Sequence, residues 1–194
     1  MNLLKISKNI LDECIAFYIR PAGYWQQIKE GNREGIFSFK IFFIPALVIL
    51  ILSVMAGDLM FHSQYGFLWK DSLIKGSRKV ILLLLILFSS IVITRFIFEA
   101  FELKIKMPLI KKIAVFSLSP ALITMIFTSL FPFFDLGGIA PWYGLFLVYN
   151  GIETFFEIPE KKKFYFYFVL FLSLFVMIMI LTYIINKITA RFIY

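Results

Sequence analysis

Five long apolar runs, each near the length that crosses a lipid bilayer and each bounded by Lys, Arg, Pro or Gly, occupy most of the 194 residues. A helix of about 20 residues at ~1.5 Å per residue covers the ~30 Å hydrocarbon core. Within lipid the backbone must satisfy its own hydrogen bonds, and no strand-barrel alternation is visible. The runs therefore predict an all-α polytopic membrane protein with five transmembrane helices, at 36–56, 80–101, 113–134, 141–157 and 164–185. Residues 1–35 are expected to form a cytoplasmic amphipathic N-terminal segment, 36–185 the five-helix domain and 186–194 a short outside tail. The hydrophobic fraction is 61% and the charged fraction 16%, against roughly 45–50% and 25% in soluble domains. A single small globule could not hide that much apolar surface.

Charge sets the expected orientation. With the N-terminus inside, the inner segments carry fourteen Lys and Arg and the outer segments six. That excess predicts N-terminus in and C-terminus out. Trp142 and Tyr143 are then expected at the outer edge, and Tyr165 and Tyr167 at the inner edge. The weak point is the loop predicted from Gly57 to Lys79, which lies outside yet holds Lys70, Lys75, Arg78 and Lys79. The net charge of +8 is spread over the loops, which fits membrane topology and argues against a nucleic-acid partner. The first apolar run begins near Ile36 with no small-residue cleavage site behind it, so it is expected to persist in the mature chain.

Residues 1–20 show a helical pattern with Leu3, Leu4, Ile6, Ile10, Leu11, Cys14, Ile15, Phe17 and Tyr18 on one side and Lys5, Lys8, Asn9, Asp12 and Glu13 on the other. This helix should end before Pro21. It would lie in the cytoplasmic interface or on the bundle, or dock a partner.

A few polar residues fall inside the apolar runs. Arg95 shares a helical face with Glu99 and Glu102, as an interfacial self-paired cluster or as a site for an anionic headgroup or a partner's charge. In the fourth run Tyr143, Phe146, Asn150, Glu153 and Glu157 form a stripe. Asn150 would sit near mid-membrane, where its amide needs partners, in another helix or in a substrate. Gly144 and Gly151 would allow close helix approach. In the third run Ser117, Pro120, Thr124 and Thr128 share a face. Proline frees a carbonyl one turn back, which hydroxyls can satisfy, making a hinge or, less simply, a hydroxyl-lined track. Cys14 is the single cysteine and His62 the single histidine, expected as a solvated loop residue. No metal-ligand spacing, nucleophile set or phosphate loop appears, so no metal, cofactor or catalysis is expected.

The string PWYGLFLVYNGIETFFEIPEKKKFYFYFV, from Pro141 to Val169, carries a proline-led aromatic run, a Tyr-x-Gly turn and an Ile-Pro-x-Lys-Lys junction. With YIRPAGYWQQI (18–28) and KKIAVFSLSPALI (111–123), it resembles the Yip family, the Ypt/Rab-interacting five-span membrane proteins, over roughly Arg20 to Ile185. The resemblance implies a five-helix fold with a cytoplasmic N-terminus. In eukaryotic members it also implies vesicle traffic through Rab GTPases and partner Yip proteins. Their long polar tail is not among these residues, and the chain is more similar to compact prokaryotic members, for which a Rab partner makes no sense. The expected function is a non-enzymatic scaffold that organises membrane proteins, its own copies among them, or lipids. Arg95, Glu99, Asn150, Glu153 and Glu157 are its candidate binding residues. The alternative is a small transporter or lipid-translocating protein with a track along Ser117, Thr124, Asn150 and Glu153.

Overall fold

A computed structural model describes residues 17–31, 42–62, 69–104, 106–134 and 140–193. Besides the helical residues 17–19, they form α1 (Pro21–Lys29), α2 (Ile44–His62), α3 (Trp69–Ala100), α4 (Met107–Leu130), α5 (Ala140–Phe155) and α6 (Glu160–Ile193). No strand occurs among the described residues. Four helices, α2, α3, α4 and α6, are long and apolar enough to cross a membrane. α5, at 16 residues, reaches only about 24 Å at ~1.5 Å per residue.

The outside of the bundle is as apolar as its inside. Val48, Leu52, Phe88, Val92, Leu172 and Met179 all stand exposed. A water-soluble monomer rarely shows contiguous apolar patches beyond a few hundred Å², so hydrocarbon is the solvent of these faces. α4 is the hub, packed on α2, α3 and α5, while α3 also packs on α2 and α6.

Polar contacts fix which helix ends meet. Asp58, late in α2, accepts hydrogen bonds from Ser72 (2.7 Å) and Lys75 (3.0 Å), early in α3. Lys79 donates to the Ser129 hydroxyl near the end of α4 (2.7 Å). At the opposite end Phe98 of α3 and Phe101 just beyond it meet Phe166 of α6 edge-on, at 5.1 and 5.4 Å between centroids. α3 ends there in a left-handed turn at Glu102 (φ 58°), with Leu103 N–H bonded to Phe98 O and Glu102 N–H to Glu99 O. This closure satisfies the last carbonyls and turns the chain into α4.

α5 runs antiparallel to α4 but beside its first half only, with Gly144 against Ser117 and Gly151 against Ile113. α1 runs alongside α5 in the same direction. Tyr18, just before α1, accepts on its carbonyl from Tyr143, and Lys29 Nζ donates to Thr154 O (2.7 Å). Phe17 and Trp25 are fully buried against Phe116 of α4. The described part of the N-terminal segment is thus wedged into the bundle, where an interfacial position was one expectation. The helix before it does stop ahead of Pro21, which starts α1. The amphipathic pattern over residues 1–16, with Cys14, lies outside the described residues, as does the stretch 36–41 of the first apolar run.

Helix ends depart from the apolar runs in several places. The loop expected from Gly57 to Lys79 is instead helical through His62 and again from Trp69, so Lys70, Lys75, Arg78 and Lys79 belong to α3. His62 likewise ends α2. The tail expected at 186–194 continues α6 to Ile193. Lysine and arginine have good helix propensity, so hydropathy marks where lipid contact ends, not where the helix does.

Gly57 lies so close to α4 that an added Cβ would run into the Ser129 carbonyl oxygen, while Gly23, exposed in α1, has nothing within 4 Å of that position. Gly57→Ala should therefore destabilise the protein by about 1–3 kcal/mol through overpacking. Gly23→Ala should be neutral or stabilising by up to ~1 kcal/mol. Thermal unfolding of both variants in one detergent is the measurement; equal midpoints would contradict the packing.

Candidate functional site

At the end shared by α1, α3, α5 and α6, charged side chains meet across helix seams. Glu153 of α5 accepts from the Tyr167 hydroxyl (2.7 Å) and pairs with Lys163 (2.9 Å), both on α6. Lys163 also lies 3.6 Å from Glu160. Lys162 reaches Glu102 (3.6 Å) and the Phe101 carbonyl (3.4 Å), tying α6 to the end of α3. Tyr167 is buried, so its hydroxyl needs the acceptor that Glu153 supplies.

The expected site residues do not form one cluster. Arg95 and Glu99 pair with each other at 2.8 Å on an outward face, their side chains 55% and 43% exposed. Asn150 Nδ2 donates to Phe146 O of its own helix (2.8 Å). α5 starts beside the middle of α4, and Asn150 lies near the C-terminal end of α5. Tyr143 is half-buried and Trp142 beside it exposed. Glu157 is exposed and lies beyond α5, in the connector to α6 that carries Pro159, so the stripe stops at Glu153. The other edge residues differ in the same way: Tyr165 is exposed, Tyr167 buried.

The proline region of α4 is a worked case of backbone accounting. Pro120 has no N–H for the Phe116 carbonyl, and Ser119 Oγ donates to that carbonyl instead (2.6 Å). Ser119 in turn accepts from Tyr18 (2.9 Å). Thr124 takes part through its carbonyl, which accepts from Thr128 (2.9 Å). Among the described residues Ser117 Oγ and Trp25 Nε1 are buried without a hydrogen-bond partner.

Ser117 borders a cavity of about 260 Å³ enclosed by α3, α4, α5 and α6. Its lining runs from Leu82 to Thr94 on α3 and from Ile110 to Met125 on α4, roughly 18 and 22 Å of helix at ~1.5 Å per residue. The lining is apolar except for the hydroxyls of Ser90, Thr94, Ser117 and Thr182. Thr124, Asn150 and Glu153 are not part of it, so the four track residues do not share this space.

No sequence pattern marks Tyr18, Ser119 and Tyr143 as one network, because they are brought together from three distant segments. The Asp58, Ser72, Lys75, Lys79 and Ser129 cluster was equally hidden, although an acid one turn before the end of an apolar run followed by basic residues is a usable signal. No group of three or more metal-ligating side chains occurs among the described residues. Comparison with protein-family models, curated proteins and solved structures yields no match.

Ser119→Ala removes both the donor to Phe116 O and the acceptor for Tyr18, and should cost about 1–3 kcal/mol of stability. Pro120→Ala restores an N–H beneath Phe116 O, so the double variant should be less impaired than the sum of the singles. A double-mutant cycle in detergent tests this; strict additivity would contradict it.

Proposed function

We propose that the chain is a non-enzymatic multi-pass scaffold of the Yip type in a prokaryotic cytoplasmic membrane, organising other membrane proteins or lipids, with its N-terminus inside and its C-terminus outside. The observation that carries the reading is the set of partly exposed charges at one end of an otherwise apolar bundle: Glu153, Lys163, Glu160, Lys162 and Glu102. Such a set offers a partner's cytoplasmic segment both signs of charge on rigid helix ends. Residues Arg95, Glu99 and Glu157 add charge on neighbouring outward positions. The resemblance of the fourth apolar run to Yip proteins supports the same reading.

Parity supports reading five crossings. α4 ends beside the start of α3, and α6 starts beside the end of α3. The chain between Leu130 and Glu160 must therefore return through the thickness of the bundle, and α5 is the helix available for that return. The fourteen-to-six excess of Lys and Arg supports an inner position for the α5–α6 junction. The transporter alternative draws only on the cavity, since its proposed track residues lie apart.

Crosslinking in native membranes should capture a partner or a second copy. Glu157→Lys, on an exposed residue outside any helix, should reduce that capture severalfold without altering thermal stability, and Glu153→Lys should abolish it. Unchanged capture in both would remove the proposed docking site. For orientation, Lys70→Cys should react with a membrane-impermeant maleimide in intact cells and Lys104→Cys only after permeabilisation. The reverse pattern would invert the topology.

A further inference from the structure

The cavity enclosed by α3, α4, α5 and α6 is long, narrow and apolar, and it lies within the lipid-facing part of the bundle. Its four hydroxyl residues are spread over three helices, and Ser90 already donates to Leu87 O (2.8 Å). An ordered water needs two to four polar partners, and apolar cavities smaller than this one stay dry and take apolar guests. The space thus favours hydrocarbon over water.

Its side wall is the loosest seam of the bundle. α6 packs its backbone on α3, whereas the backbones of α5 and α6 stay apart along most of their shared length. That seam is bridged by side chains, with Trp142 stacked on Phe175 (6.2 Å, 27°) and Tyr149 against Tyr167 (4.8 Å). The lining residues that border it, Leu145, Val148, Met177, Ile178 and Thr182, are half-buried. Trp142 itself is 65% exposed, so the clasp faces the bilayer.

We propose that this cavity holds one acyl chain of a bilayer phospholipid, admitted sideways between α5 and α6. A linear chain matches a lining that extends three to four helical turns along α3 and α4, and the surrounding bilayer presents such chains directly to the seam. The glycerol and headgroup remain outside, in the bilayer. The inference deepens the lipid-organising part of the proposed function and rests on that reading, but it does not involve the charged helix ends.

The test uses the full chain in nanodiscs that contain a phospholipid carrying a mid-chain diazirine, with adducts mapped by mass spectrometry. In the unaltered protein, adducts should concentrate on Leu145, Met177 and other lining positions over outward Phe168 and Leu172. Ala121→Trp fills the cavity and should lower the lining adducts roughly tenfold, leaving the outward ones unchanged. Ala121→Leu, a smaller change that guards against misfolding, should give an intermediate drop. Lining adducts that never exceed the outward ones, or that persist in a folded Ala121→Trp protein, overturn the proposal. So does reaction of a cysteine at Ala121 with aqueous reagent as fast as one at an exposed loop. Retained crosslinking of a partner by Ala121→Trp, together with lost lipid labelling, supports separate lipid and docking roles. Failure of the Glu157→Lys experiment alone leaves the cavity result standing.

Discussion

Two carbonyl oxygens of α4 receive the helices that pack on it, and everything else in the bundle is arranged around those approaches. Gly57 brings α2 onto the Ser129 carbonyl, and Gly144 brings α5 to where an added Cβ would lie 2.8 Å from the Ser117 carbonyl. In lipid, helices gain little from burying apolar surface against each other, because the tails are equally apolar. Close backbone packing, which only a missing side chain permits, must supply the specificity. α4 can thus hold α2 on its second half and α5 on its first half, with α3 spanning both.

That division explains what was legible in the sequence and what was not. Apolar runs identify α2, α3, α4 and α6 because each needs a long stretch of hydrocarbon-compatible side chains, and Gly144 and Gly151 identify the face of α5 that turns inward. The helix ends could not be read from hydropathy, since Lys75 and Lys79 continue α3 by pairing with Asp58 and Ser129 and do not break it. Asn150 was open between another helix and a substrate, and its amide instead donates to Phe146 O on its own helix. The start of α5 is set by Gly144 meeting Ser117, a tertiary contact with no local signature. For the candidate residues, the i to i+4 spacing of Arg95 and Glu99 was enough to foresee their pairing, whereas the union of Glu153 with Tyr167 and Lys163 depends on how α6 leans on α5.

Hydroxyls are used sparingly and locally. Ser53, Ser90, Thr128, Thr154 and Thr189 each donate to a carbonyl three or four residues back on their own helix. This bond satisfies a hydroxyl in a medium without water, so hydroxyl residues in a span need not mark a conducting path. Ser119 departs from the pattern in a useful way: the carbonyl it serves is the one Pro120 leaves unpaired, and it has a lone pair left for Tyr18. Through that bond the N-terminal wedge is keyed to the one α4 turn that proline has opened.

The short α5 begins beside the middle of α4, and a connector joins it to the end of α4. Phe131, Phe133 and Phe134 lie along the described part of that connector, with Phe131 and Phe134 against Phe127 and Phe133 against Phe61 of α2. Ala140 itself is buried. Aromatic rings therefore tie the start of the connector to α2 and α4. Among the described residues, the end near Glu153 packs α1 and α5 in addition to the four long helices, and the opposite end has only those four. α5 lines the cavity from Ala140 to Ile152, and with its backbone held on α4 and away from that of α6, side chains alone close this wall.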